Sequence, residues 1–136
     1  DMNKPIVHQA CLPAFNGLMS ARALAKHYAA LIGDLEGHDA LLKPETIRLA
    51  STLNRSPNDP APLKPGTWEL FGLGYVLYGP KHDYGQIFGH GGYGGAEGIV
   101  DVKNHLVVAY TKNIIHGEEH TRDKIYEAIG MKSRDW

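Results

Sequence analysis

The stretch Phe88-Gly89-His90-Gly91-Gly92-Tyr93-Gly94-Gly95 sets one imidazole and two aromatic rings among five glycines. Glycine inside an element costs about 0.5–1 kcal/mol of backbone entropy relative to alanine, so a cluster of them calls for a geometric cause. The usual causes are a positive φ or something approaching the main chain closely. Histidine adds a group that serves as acid, base or hydrogen-bond donor near neutral pH. Two readings stand: one wall of a cleft where substrate meets bare backbone, or a glycine-rich turn whose histidine caps a strand.

Other chemistries fit less well. Gly89-x-Gly91-x-x-Gly94 has the form of a dinucleotide fingerprint, but strand-like residues from Gly98 follow where the phosphate-binding helix must begin. No Gly-Lys-Ser/Thr supplies a phosphate-binding loop. His116-Gly117-Glu118-Glu119-His120 matches the inverted zinc spacing H-x-x-E-H, which on a helix sets both imidazoles on one face. Gly117 at a helix start argues against a zinc hydrolase built on His116 and His120, as does the short remainder left to supply a further ligand. A polar loop with a charged helix N-terminus is the plainer reading, so the expectation is no metal and no cofactor.

A serine nucleophile needs an activating base. Ser20, Ser51, Ser56 and Ser133 all lack a lysine three residues on, no Gly-x-Ser-x-Gly occurs, and none of the seven tyrosines begins Tyr-x-Asn or Tyr-x-Ser. A complete serine-hydrolase apparatus is therefore absent from these residues. Cys11 is the single cysteine, which excludes an internal disulfide, and its neighbours Ala10, Leu12 and Pro13 predict a structural, apolar position.

The elements that must position His90 follow from composition and periodicity. A chain of 136 residues, 43% hydrophobic and 21% charged, is one globular domain spanning residues 1–136. Its net charge of −1, from 14 Lys+Arg and 15 Asp+Glu, gives no pull toward nucleic acid or anionic lipid. No apolar run approaches the roughly 18–20 residues of a membrane span. The opening Asp1-Met2-Asn3-Lys4-Pro5 has no apolar signal core and reads as a cut inside a longer chain, and nothing marks a compartment.

Pro5, Pro13 and Asn16-Gly17 predict irregular structure before Ser20. Ser20 then caps an alanine-rich helix over 21–32 that stops at Gly33, with Leu24, Tyr28, Leu31 and Ile32 on one face. Tyr28 reads as packing and His27 as surface. Pro44 opens a second helix to about Thr52, and the prolines of 54–67 predict a long surface loop. Trp68–Tyr78 and Tyr84–His90 read as strands, and 98–102 with 105–111 as a hairpin turning about Lys103-Asn104. Leu106, Val108 and Tyr110 alternate with Val107 and Ala109, apolar on both faces, so the strand should be covered on both sides, by helices on one or each. A last helix runs from about Glu118 or His120 to Ile129. Residues 1–53 are thus mostly helical, 68–113 strands and 118–130 helix: an α+β fold with an antiparallel sheet of about four strands.

Taken together, Pro13-Ala14-Phe15-Asn16-Gly17-Leu18-Met19-Ser20-Ala21-Arg22-Ala23-Leu24-Ala25, Tyr28-Ala29-Ala30-Leu31, Leu41-Leu42-x-Pro44-Glu45-Thr46, Gly72-Leu73-Gly74-Tyr75, Phe88-Gly89-His90-Gly91-Gly92 and Leu106-Val107-Val108-Ala109-Tyr110 with Asn113 resemble a known family. They are similar to the C-terminal part of β-lactamase-related serine hydrolases: class C-like β-lactamases, penicillin-binding-type peptidases and family VIII esterases. That family uses a Ser-x-x-Lys nucleophile, a Tyr-x-Asn-like base and a Lys-Thr-Gly-like strand. His90-Gly91-Gly92 is similar to the last, in the His-for-Lys form of esterase-like members. The resemblance implies that His90 contacts the substrate or the catalytic tyrosine, and that the Tyr93 amide is the second oxyanion donor beside that of the missing serine, with Gly91 and Gly92 letting substrate approach the strand backbone. It implies an ester, amide or lactam substrate, with nucleophile and base upstream of Asp1, so that this chain alone is inert. A non-catalytic binding or scaffold module of the same fold is the alternative. The partner implied is the N-terminal part of the same protein, whose strands complete the sheet. Without them, unpaired strand edges predict self-association.

Overall fold

The computed structural model describes residues 3–14, 17–56, 58, 70–79, 85–114 and 120–131. In chain order the elements are α1 (Pro5–Gln9), α2 (Ala21–Ile32), α3 (Pro44–Ala50), β1 (Val76–Tyr78), β2 (Ile87–Gly91), β3 (Glu97–Asp101), β4 (Leu106–Tyr110) and α4 (His120–Ala128). The strands form one antiparallel meander in the order β1-β2-β3-β4. The α+β class and the four-stranded sheet are thus as expected.

Helix α2 follows from local chemistry. Ser20, extended at φ −78, accepts a hydrogen bond from the Ala23 amide, and Gly33 ends the helix in the left-handed region at φ 80. The alanines let the helix lie close on the sheet. A Cβ added to Gly98 would lie 2.6 Å from Tyr28 Cε2 and 3.0 Å from Leu24 Cγ and Cδ2, so Gly98 is the floor on which α2 rests. Tyr28, Leu31, Ile47, Leu70, Leu77, Phe88 and Val100 form the core between α2, α3 and this face. Tyr28 packs and His27 is exposed, as read from the sequence.

On the other face lie Val76, Glu97, Ile99 and Asp101, with the buried Tyr126 of α4 joined to Glu97. The β3–β4 turn is tied by Asp101, which accepts from the Asn104 backbone amide at 3.1 Å and its side-chain amide at 2.6 Å. His105, at φ 50, holds that turn to the end of α2 through Asp34 at 2.8 Å.

Three sequence expectations are corrected. The stretch before Ser20 is not wholly irregular: Pro5 at the first helical position starts the short α1. The strand expected over Trp68–Tyr78 is broken by a turn: Phe71 bridges Val76, Gly72 N–H donates to Tyr75 O at 2.9 Å, and Leu73 N–H donates to Ala50 O at 2.9 Å. A side chain on Gly72 would collide with the Ala50 carbonyl at the end of α3, so tertiary packing dictates the bend. Cys11 is exposed rather than packed in an apolar site. Trp68, Glu69, Tyr84, His116 and most of the proline-rich loop lie outside the described residues.

Candidate functional site

Strand β2 carries His90 and Gly91 at its C-terminal end, and a tight loop joins it to β3. Gly92 N–H donates to Ala96 O at 2.7 Å, and Gly95 N–H donates to Gly92 O at 2.8 Å. Tyr93 and Gly94 are the central residues of that turn, and Gly95 follows in the left-handed region at φ 77. A turn followed by a left-handed glycine makes a three-residue hairpin loop, so Gly95 is required by backbone conformation.

Hydrogen-bond direction alternates along a strand. The Gly92–Ala96 bond and the bond from Val102 N–H to Gln86 O, at 3.0 Å, belong to one register, so even-numbered residues of β2 address β3. The amide and carbonyl of Gly91 therefore point to the opposite edge. There β1 pairs only as far as Val76 with Gly89, and the chain turns away at Phe71–Tyr75. Gly91 and the outward loop residue Tyr93, 92% exposed, thus line one continuous edge past the end of β1.

His90 shares its sheet face with Phe88, but at the exposed end of the strand. Its ring centroid is 6.1 Å from that of Phe71. Its Nδ1 lies 2.7 Å from the Gly91 carbonyl oxygen. A carbonyl only accepts, so in this contact Nδ1 carries the proton and donates it to the Gly91 oxygen. The structure thus places Gly91 and Tyr93 on the open edge, with the His90 ring on the adjoining sheet face and the Gly92 N–H turned toward β3.

Behind His90 the core is aromatic. Tyr75 stands 5.0 Å from Phe88 and 6.3 Å from Tyr28 between ring centroids. Burial pushes the Tyr28 hydroxyl up to about 12, with Tyr75 and Glu97 adding to the rise and a contact with the His90 backbone opposing it. Burial raises Tyr75 as well.

Sequence reading missed Glu97. It pairs directly with Gly91 across the hairpin and is 5% exposed. Its Oε1 accepts from the Tyr78 hydroxyl of β1 at 3.0 Å. Its Oε2 accepts from the Tyr110 hydroxyl of β4 at 3.2 Å and the Tyr126 hydroxyl of α4 at 2.7 Å. Burial, then the nearby Glu97 charge, raises the hydroxyls of Tyr78 and Tyr126, and Arg122 partly offsets the rise at Tyr78. A Cβ on Gly91 would sit 3.5 Å from Glu97 Oε1, so the bare side of Gly91 looks onto this carboxylate. The one available signal was a charged residue interrupting the small and apolar run Gly94–Val100.

The zinc spacing from His116 to His120 rests on residues 115–119, outside those described. No helix among the described residues is long and apolar enough to cross a membrane. A family model described as Beta-lactamase matches residues 1–131. No curated protein and no solved structure matches the chain.

Proposed function

The chain belongs to the Beta-lactamase family, and from that membership we propose that it forms the His-Gly-Gly wall and oxyanion side of a serine hydrolase site. The open edge from His90 to Tyr93 carries the proposal. In acyl transfer a serine oxygen adds to the substrate carbonyl, whose oxygen takes the negative charge. The leaving group then departs with a proton, and water later cleaves the acyl-enzyme. Fixed N–H donors about 2.7–3.1 Å from that oxygen lower the barrier, and losing one costs roughly 10²–10³ in rate. The Tyr93 amide is the donor this chain contributes, next to Gly91 and Gly92. His90, its Nδ1 held by the Gly91 carbonyl, offers Nε2 to the substrate or to a tyrosine of the site. The substrate class is an ester, amide or lactam.

The nucleophile and its base belong, in this reading, to the N-terminal part of the same protein, preceding Asp1. The fold supports that division. Among the described residues β4 has a strand neighbour on one side only, and the register turns the amides of Val107 and Ala109 toward the other. An unpaired edge of this kind accepts further strands or drives self-association.

A serine-reactive phosphonate probe tests the proposal on this chain and on the polypeptide that includes the residues before Asp1. The expected result is no labelling of the isolated chain and one label per molecule of the longer one. Stoichiometric labelling of the isolated chain would overturn the division of the site, and a longer polypeptide that stays unlabelled would make this fold a non-catalytic module.

A further inference from the structure

Glu97 lies across the hairpin from the candidate edge, and neither the edge nor the proposed chemistry uses it. Its surroundings are unusual for a filler residue. A buried carboxylate is costly unless its oxygens are hydrogen-bonded, and here three phenols, from β1, β4 and α4, supply donors at 3.0, 3.2 and 2.7 Å. The carboxylate is their common node.

The node sits directly behind the candidate edge. Glu97 is the register partner of Gly91, and its Oε1 is within ordinary contact of the position a Gly91 side chain would take. The loop that follows, residues 92–96, contains three glycines and is closed by the Gly92–Ala96 and Gly95–Gly92 bonds. So glycine-rich a segment has high conformational entropy when unrestrained. Its two ends are Gly91 and Glu97, and the clamp of tyrosines fixes the second of them.

We propose that Glu97 is a positioning residue, which holds Gly91 and the Tyr93 amide in place through its hydrogen bonds with Tyr78, Tyr110 and Tyr126. The role rests on the serine-hydrolase reading of the His90–Tyr93 edge. It does not require Glu97 to touch substrate. It also gives α4 a part in the site, because Tyr126 supplies the shortest of the three bonds.

The test uses the longer polypeptide and its Glu97→Gln and Tyr126→Phe variants. Three quantities are read: phosphonate labelling rate, kcat and KM for a simple aryl ester, and amide hydrogen exchange over residues 91–95. Displacing one oxyanion donor predicts a fall in kcat of about 10–100-fold for Glu97→Gln, below the roughly 10²–10³ of outright loss. KM should change less than threefold, and exchange over 91–95 should accelerate while exchange in α2 does not. Tyr126→Phe keeps the ring and removes one donor, so it should lie between wild type and Glu97→Gln, and it carries the test if Glu97→Gln fails to fold. Unchanged kcat together with unchanged exchange in a labelled wild-type background overturns the proposal. If wild type is not labelled, the hydrolase reading fails separately. Exchange over 91–95 then decides the clamp alone: acceleration supports it and unchanged protection overturns it.

Discussion

Gly98 is the position at which the packing of α2 on the sheet is most directly testable. Replacing it with alanine places a methyl group 2.6 Å from Tyr28 Cε2 and 3.0 Å from two atoms of Leu24. Carbon atoms in contact rest near 3.5–4.0 Å, so the neighbours must retreat by up to about 1 Å. Tyr28 has little room to do so, since it is 6% exposed and packed beside Tyr75. Overpacking of this kind costs about 1–3 kcal/mol. For a domain of this size each kcal/mol moves Tm by roughly 3–5 °C, which predicts a loss of about 3–15 °C for Gly98→Ala. Gly92→Ala is the control, because its Cβ would meet only the Ala96 carbonyl at 3.6 Å and its φ is not in the left-handed region. Its stability should stay within about 0.5 kcal/mol of wild type. Thermal melts and urea midpoints followed by circular dichroism measure both. Wild-type stability for Gly98→Ala, or equal destabilisation by the two substitutions, would refute the packing argument.

Two further outcomes follow from single interactions. Ser20→Ala removes the acceptor of the 3.2 Å bond from Ala23 N–H, and should cost about 1 kcal/mol in urea unfolding with an unchanged m value. At high pH the buried phenols should dominate stability. Tyr28, raised to about 12, and Tyr75, Tyr78 and Tyr126, raised by burial, keep their protons in the folded state while the unfolded chain ionises near 10. The folded state then binds more protons than the unfolded one, so stability that is complete below about pH 10 falls as pH rises toward 12 and beyond. Phenolate absorbance followed beside circular dichroism should show these tyrosines ionising only as the fold is lost, and ionisation near 10 in an intact fold would contradict the burial.

What the sequence revealed and what it hid divide along the range of the causes. Helix α2 was legible because its cap at Ser20, its alanines and its stop at Gly33 all act within a few residues. The hairpin about Lys103-Asn104 and the two apolar faces of β4 were legible for the same reason. The turn at Gly72–Gly74 was not, because Leu70, Phe71, Tyr75 and Val76 keep an apolar pattern running through it. What bends the chain is the Ala50 carbonyl at the end of α3. The candidate site repeats this division. His90 and its glycines announced themselves by composition, whereas the donors to Glu97 stand 19, 13 and 29 residues from it.

Composition also blurred the glycines themselves, which the structure separates by cause. Gly89 is glycine because a Cβ would press on Ile99 Cα at 2.7 Å and on the Gly98 carbonyl, and Gly98 because α2 lies on it. Gly95 is glycine for its φ of 77, and Gly91 presents its bare side to the Glu97 carboxylate. Gly92 has neither a positive φ nor a neighbour closer than ordinary contact. The fold therefore accounts for Gly89, Gly95 and Gly98 by close contact or backbone conformation, whereas a Cβ on Gly91 or Gly92 would meet nothing closer than 3.5 or 3.6 Å, and these are the two glycines that the proposed reading of the edge assigns to substrate approach.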